Sequence, residues 1–264
     1  MTTNSIRLAS AIGALLLALT LAACGTAPPQ QAAASSTAPA DPAVQQREVL
    51  RGYVMAMTER DELYESFSGL RRSDPMFAAA KQSIGSVYRD PVVMDWMIDQ
   101  LGQDRSAFVQ RFGTVIIEGF ARADDEAAWK MLRPVGAALG RLDATQCTAY
   151  KTETAGTGGA RGASMTALVR RMQPAELNEF FDGFRLALRA GIERAPLRPT
   201  ASSAQVAAAL ASVSRGVPAG AVNECTAAQM AASAVQNASG PTRSHLLSVM
   251  LASAGLGVQR EFKR

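Results

Sequence analysis

From residue 45 onward the apolar residues of this chain return every three or four positions, and the alternation that a half-buried strand needs is nearly absent. That pattern restricts the fold to packed helices. Over 44–70, Leu50, Tyr53, Val54, Met57, Tyr64 and Phe67 share one side at helical spacing, with Glu59, Arg60, Asp61 and Glu62 largely opposite. Asp74-Pro75 and Asp90-Pro91 each place a capping carboxylate before a proline, whose fixed φ suits the first helical position, and so start helices near 75–88 and 91–102. Residues 105–122 carry Phe108, Phe112, Val115, Ile116, Gly119 and Phe120 on one stripe and Arg111, Thr114, Glu118 and Arg122 on the other.

Asp124, Asp125 and Glu126 suit the positive end of a helix that runs to Gly140, with a kink at Pro134. Pro174 and Glu176 open another, whose face is Leu177, Phe180, Phe181, Phe184, Leu188 and Ile192 and which Pro196 stops. Val206, Leu210 and Val213 mark a helix from Ser203 to Gly216, Thr226 with Gln229 has capping-box spacing, and Gly240-Pro241 precedes a last helix over roughly 241–256. The expectation is a single all-α domain of about eight to ten helices spanning 45–264.

What precedes residue 45 cannot join such a core. Residues 25–44, GTAPPQQAAASSTAPADPAV, hold no aromatic residue and one charge, Asp41, too little apolar surface to offset the entropy of ordering. They read as a flexible tether. Before them, the sixteen residues 8–23, LASAIGALLLALTLAA, are almost uninterruptedly apolar or small. As a helix they reach about 24 Å against a hydrocarbon core of about 30 Å, which favours a secretory signal over a permanent span. The segment closes on Leu21-Ala22-Ala23-Cys24-Gly25, which resembles the lipobox of bacterial lipoproteins: an aliphatic residue three before a cysteine, with small residues between. The resemblance covers this processing segment alone. It implies removal of residues 1–23, a diacylglyceryl thioether on Cys24 and acylation of its new amino group, hence anchoring in a membrane by covalent lipid. Gly25 stands where enteric lipoproteins kept in the inner membrane carry Asp, so the implied address is the outer membrane, facing the periplasm.

Lipidation uses Cys24 and leaves an even pair, Cys147 and Cys225, in a compartment that oxidises thiols. A Cys147–Cys225 disulfide is expected. The two cysteines also sit in a faint internal similarity at an offset of 78 residues, in which Cys147-Thr148-Ala149, Gly162, Leu168 and Met172 match Cys225-Thr226-Ala227, Gly240, Leu246 and Met250. A duplicated helical unit would set 124–173 and 202–252 about a local pseudo-two-fold axis.

The chemistry open to the chain is narrow. Its only histidine, His245, removes His-based metal sites and leaves at most one position for a serine triad; it reads as a helix-face residue with a local hydrogen bond. No Ser is followed three residues later by Lys, so the penicillin-recognising motif is missing. The glycine-rich run 151–163 has five residues between Gly156 and Gly162, then Ala163, which is the wrong frame for a phosphate loop; it reads as a linker, and no nucleotide is expected. Without residues 1–23 the net charge falls to +3, too little to select nucleic acid. Neither cofactor nor metal is expected.

Two patterns remain. Asp95 with Asp99, Glu176 with Glu179, and Glu118 are the carboxylates from which a hydrolase would be built, although Glu118 pairs by spacing with Arg122. Arg170, Arg171, Arg185 and Arg189, with Arg194 and Arg198 further on, form a basic strip that suits an anionic partner. The functional expectation is a lipid-anchored, non-enzymatic interaction module with an envelope protein as partner, whether scaffold, secretion accessory or inhibitor. A carboxylate-dependent peptidoglycan hydrolase and a carrier of an apolar ligand between Met- and Phe-rich helices are the alternatives.

Overall fold

A computed structural model of the chain describes residues 41–155, 166–215 and 223–253. Cys24, the signal segment, the tether up to residue 40 and positions 156–163 of the glycine-rich run lie outside them. Among the described residues the fold is all-α, without a strand: α1 (Pro42–Thr58), α2 (Asp61–Ser68), α3 (Phe77–Tyr88), α4 (Pro91–Gln103), α5 (Arg105–Arg122), α6 (Asp125–Gly140), α7 (Ala144–Ala155), α8 (Pro174–Ile192), α9 (Ser203–Ser214), α10 (Glu224–Asn237) and α11 (Gly240–Ser253), with a helical turn at 166–169.

Side-chain caps start these helices where the sequence offers a short acceptor. Asp90 Oδ1 accepts from the Val92 and Val93 amides at 3.0 and 3.3 Å, Asp104 from Ser106 and Ala107, and Asp124 from Ala127. The same Asp-Pro signal moves the domain boundary: Asp41 accepts from the Ala43 amide at 2.9 Å, so the first helix begins at Pro42 rather than after a tether ending at 44. Asp74-Pro75 builds a turn instead, with Asp74 accepting from Met76, and the helix follows at Phe77. In α10 the cap is Asn223, with Thr226 as its reciprocal partner, so the expected Thr226–Gln229 box is displaced by three residues.

The stretch 44–70 is two helices, which accounts for one of the helices beyond the expected eight to ten. The chain turns at Glu59 and Arg60, and the turn returns Tyr64 to complete burial, where its hydroxyl donates to the Thr58 carbonyl that the end of α1 leaves without a helical partner. Leu50 and Val54 face inward, but Tyr53 is 42% exposed. At the other end of the domain α8 stops at Ile192, ahead of Pro196, through Glu193 and an Arg194 in the left-handed region at φ 52°.

α8 is the helix that the others share. It packs on α3, α4, α5 and α6, and Leu177, Phe180, Phe181 and Leu188 are all buried there. The approach to α5 depends on two glycines: a Cβ on Gly119 would collide with the Ala187 carbonyl oxygen, and one on Gly191 would stand 2.5 Å from that of Val115. The opposite flank of α6 receives α10 and α11, with α9 packed on both. A pseudo-two-fold relating α6 and α7 to α9 and α10 would require α7 to pack on α9 as broadly as α10 packs on α6. It does not, so the internal similarity is not repeated in this packing.

Candidate functional site

Glu126, Trp129, Lys130 and Arg133, spaced i, i+3, i+4 and i+7, lie along one face of α6, opposite Asn178, Glu179 and Asp182 of α8. Together with Arg243 of α11 they line a cleft of about 620 Å³. Its floor is an ion-pair ladder between the two helices: Lys130 Nζ to Asp182 Oδ2 at 2.7 Å, Arg133 Nε to Glu179 Oε1 at 2.8 Å and, further along, Arg141 on both oxygens of Glu176. Asn178 Oδ1 accepts from the Ser83 hydroxyl, and the Arg243 guanidinium lies over the Trp129 ring, 5.7 Å from its centre.

The ladder shifts the protonation of Glu176, Asp182 and Lys130. The Arg141 hydrogen bonds hold the Glu176 carboxyl below its ordinary value, and burial opposes them without prevailing. At Asp182 burial pushes the carboxyl up, yet the bonds from Lys130 and Arg185 outweigh it and the net direction is down. Lys130 is raised in turn by its bond to Asp182. These carboxylates are therefore ionised acceptors at neutral pH. A general acid needs the opposite shift.

The other sequence-predicted carboxylates are also engaged. Asp95 and Asp99 meet Arg47 and Arg51 of α1, with Arg51 Nη2 to Asp95 Oδ1 at 2.8 Å, and Glu118 lies 3.5 Å from Arg122, as their spacing implies. The basic strip is not a row of open cations. Arg185 bonds to Asp90 at 2.7 Å and Asp182 at 2.6 Å; Arg189 lies 3.7 Å from Asp90 and 3.4 Å from Glu193. Arg171 bonds to Glu153 at 2.9 Å and stacks on Tyr150, and Arg170 lies 3.5 Å from Asp74. Arg198 departs furthest from expectation: it is 4% exposed, and its guanidinium donates to the carbonyls of Phe120 and Ala123 and to Ser248 Oγ. Those carbonyls end α5, where a cation complements the negative pole.

His245 is fully buried rather than on a helix face, and its Nδ1 accepts from the Ala201 amide at 3.0 Å. Phe180, Phe181 and Phe184 are stacked edge to face as core, with ring centres 5.3 and 6.2 Å apart. Cys147 and Cys225 are joined, S–S 2.04 Å with Cα atoms 6.1 Å apart, and both are buried. Among the described residues no group of three or more His, Cys, Asp or Glu side chains is placed to hold a metal ion, and no helix is long and apolar enough to cross a membrane.

Sequence reasoning read Glu126 only as an acid at a helix start and passed over Trp129 and Arg243. The first two were open to it, because Glu126-x-x-Trp129-Lys130-x-x-Arg133 is one helical face. Arg243 comes from another helix, and no local pattern ties it to Trp129. No known family, no curated protein and no solved structure matches this chain.

Proposed function

We propose that this protein is a lipid-anchored, non-enzymatic interaction module of the cell envelope, held at the periplasmic face of the outer membrane through Cys24. The observation that carries the reading is the buried Cys147–Cys225 bridge, because a disulfide in a structural position belongs with an oxidising compartment and agrees with the export signal and lipobox read from residues 1–25. The ion-pair ladder supports the non-enzymatic part, since Arg141 holds Glu176 ionised and Glu179 is bonded to Arg133. The apolar side chains that a carrier would line its cavity with fill one another's faces instead.

The test combines a modification and a fractionation. The wild-type protein is expected to incorporate a clickable fatty acid, to lose it in Cys24→Ser, and to sediment with outer membranes. An unlabelled mature protein rejects the anchor. Peptidoglycan solubilised by the purified protein, and no longer solubilised by Glu118→Gln, turns the assignment to a hydrolase.

A further inference from the structure

We propose that the α6–α8 cleft is a receptor for a zwitterion, taking an oxyanion on Arg243 and an ammonium group at Glu126. This goes beyond the anchored-module reading and does not depend on it. Of the six charged residues that line the cleft, four are spent in pairs, Lys130 with Asp182 and Arg133 with Glu179. Among the described residues the side chains of Glu126 and Arg243 form neither a close ion pair nor a hydrogen bond, and Glu126 acts on Lys130 and Arg133 through space alone.

Arg243 is nevertheless held in place. A guanidinium over an indole face is attracted by the ring quadrupole and keeps all five of its N–H donors for another acceptor. The ring thus fixes the cation without consuming it, which lowers the ordering cost of binding an anion.

Charge balance selects the class of ligand. Lys130, Arg133 and Arg243 face Glu126, Glu179 and Asp182, so the cleft carries no net charge. With the two pairs internally compensated, a purely anionic ligand gains at Arg243 and is opposed by Glu126. A purely cationic one meets the reverse. A molecule bearing both charges satisfies the two groups that the ladder leaves over, and a zwitterionic lipid headgroup or a free amino-phosphate or amino-carboxylate has that chemistry.

The experiment follows the indole N–H resonances of Trp129 and Trp96 in the full chain during titration with O-phosphoethanolamine, inorganic phosphate and ethanolamine. Trp96 stands among Phe108 and Phe112, 6.1 Å from each ring centre, and serves as the internal control. Phosphoethanolamine is expected to move the Trp129 signal saturably, at a concentration about tenfold below that of either half-molecule, and to leave Trp96 in place. Arg243→Gln is expected to abolish the response, and Glu126→Gln to reduce it to that of inorganic phosphate. An unmoved Trp129 signal, an equal response to phosphate alone, or an unchanged response in Arg243→Gln overturns the proposal. Vesicles of phosphatidylglycerol with and without phosphatidylethanolamine identify the source: a shift on adding phosphatidylethanolamine assigns the headgroup, and a shift with the soluble compound alone assigns a free zwitterion, either of which supports the receptor.

Discussion

Asp90 and Arg185, ninety-five positions apart in sequence, meet at 2.7 Å through Asp90 Oδ2, while Oδ1 of the same carboxylate caps α4. One side chain, 3% exposed, both starts a helix and anchors the central one. Arg185, a member of the basic strip, is thus already bonded to carboxylates of the fold at Asp90 and Asp182.

The Asp90 series separates these two roles. Asp90→Asn keeps a cap acceptor and loses the charge; Asp90→Ala loses both. Urea unfolding is expected to show a loss of about 1 kcal/mol for the first and about 2–3 kcal/mol for the second. Equal stability of the two variants assigns the whole effect to the ion pair, and an Asp90→Asn variant as stable as the wild type assigns it to the cap.

Gly119→Ala tests the approach of α5 to α8. The added methyl group meets backbone, which cannot swing aside as a side-chain tip can, so the helices must part. The expected cost is about 1–3 kcal/mol, whereas alanine at Gly52, where nothing lies within 4 Å of the new Cβ, is expected to stabilise α1 by a few tenths up to about 1 kcal/mol. Thermal melts of the two variants moving in opposite directions is the predicted result.

Reduction of Cys147–Cys225 opens a loop with a sequence separation of 78. In the chain-entropy picture such a bridge contributes at most about 4–5 kcal/mol. The urea midpoint is expected to fall on adding reductant and to fall equally in the Cys147→Ser, Cys225→Ser double variant measured without it. Two free thiols in the non-reduced protein reject the bridge.

Acid should weaken the domain through Glu176. Its folded carboxyl lies below the ordinary 4.5 because of Arg141, so it contributes stability above that value, which is lost as pH falls through the folded one. Stability of the wild type is expected to decline below about pH 4.5, and Glu176→Gln is expected to be less stable at neutral pH with a shallower decline. Parallel pH profiles for the two proteins would exclude this linkage.

Most of the helices were legible because periodicity and caps are local. Residues 105–122 show both, and α5 has those bounds. The break at Glu59 was not, since helical spacing continues across it and only the tertiary reward for burying Tyr64 turns the chain. Asp41-Pro42 carried the same signal as Asp90-Pro91 and was masked by the Pro/Ala-rich composition around it. Arg198 and His245 defeat sequence reading for a different reason. A charged or titratable side chain is assigned to the surface by default, and what buries these two are carbonyls and an amide of distant segments. The candidate cleft divides the same way: one wall is a helical face that spacing reveals, and its free cation is supplied across 114 residues from Trp129.

The shared position of α8 bears on the order in which the chain becomes a protein. As synthesis proceeds from the N-terminus, α3, α4, α5 and α6 all appear before the helix on which each of them packs. Phe120 of α5, whose ring meets Phe184, and Met131 of α6, which lies beside Gly183, therefore wait for residues 174–192 before their packing is complete. With these contacts deferred to one segment, the helices made before α8 lack part of their packing until residues 174–192 are present.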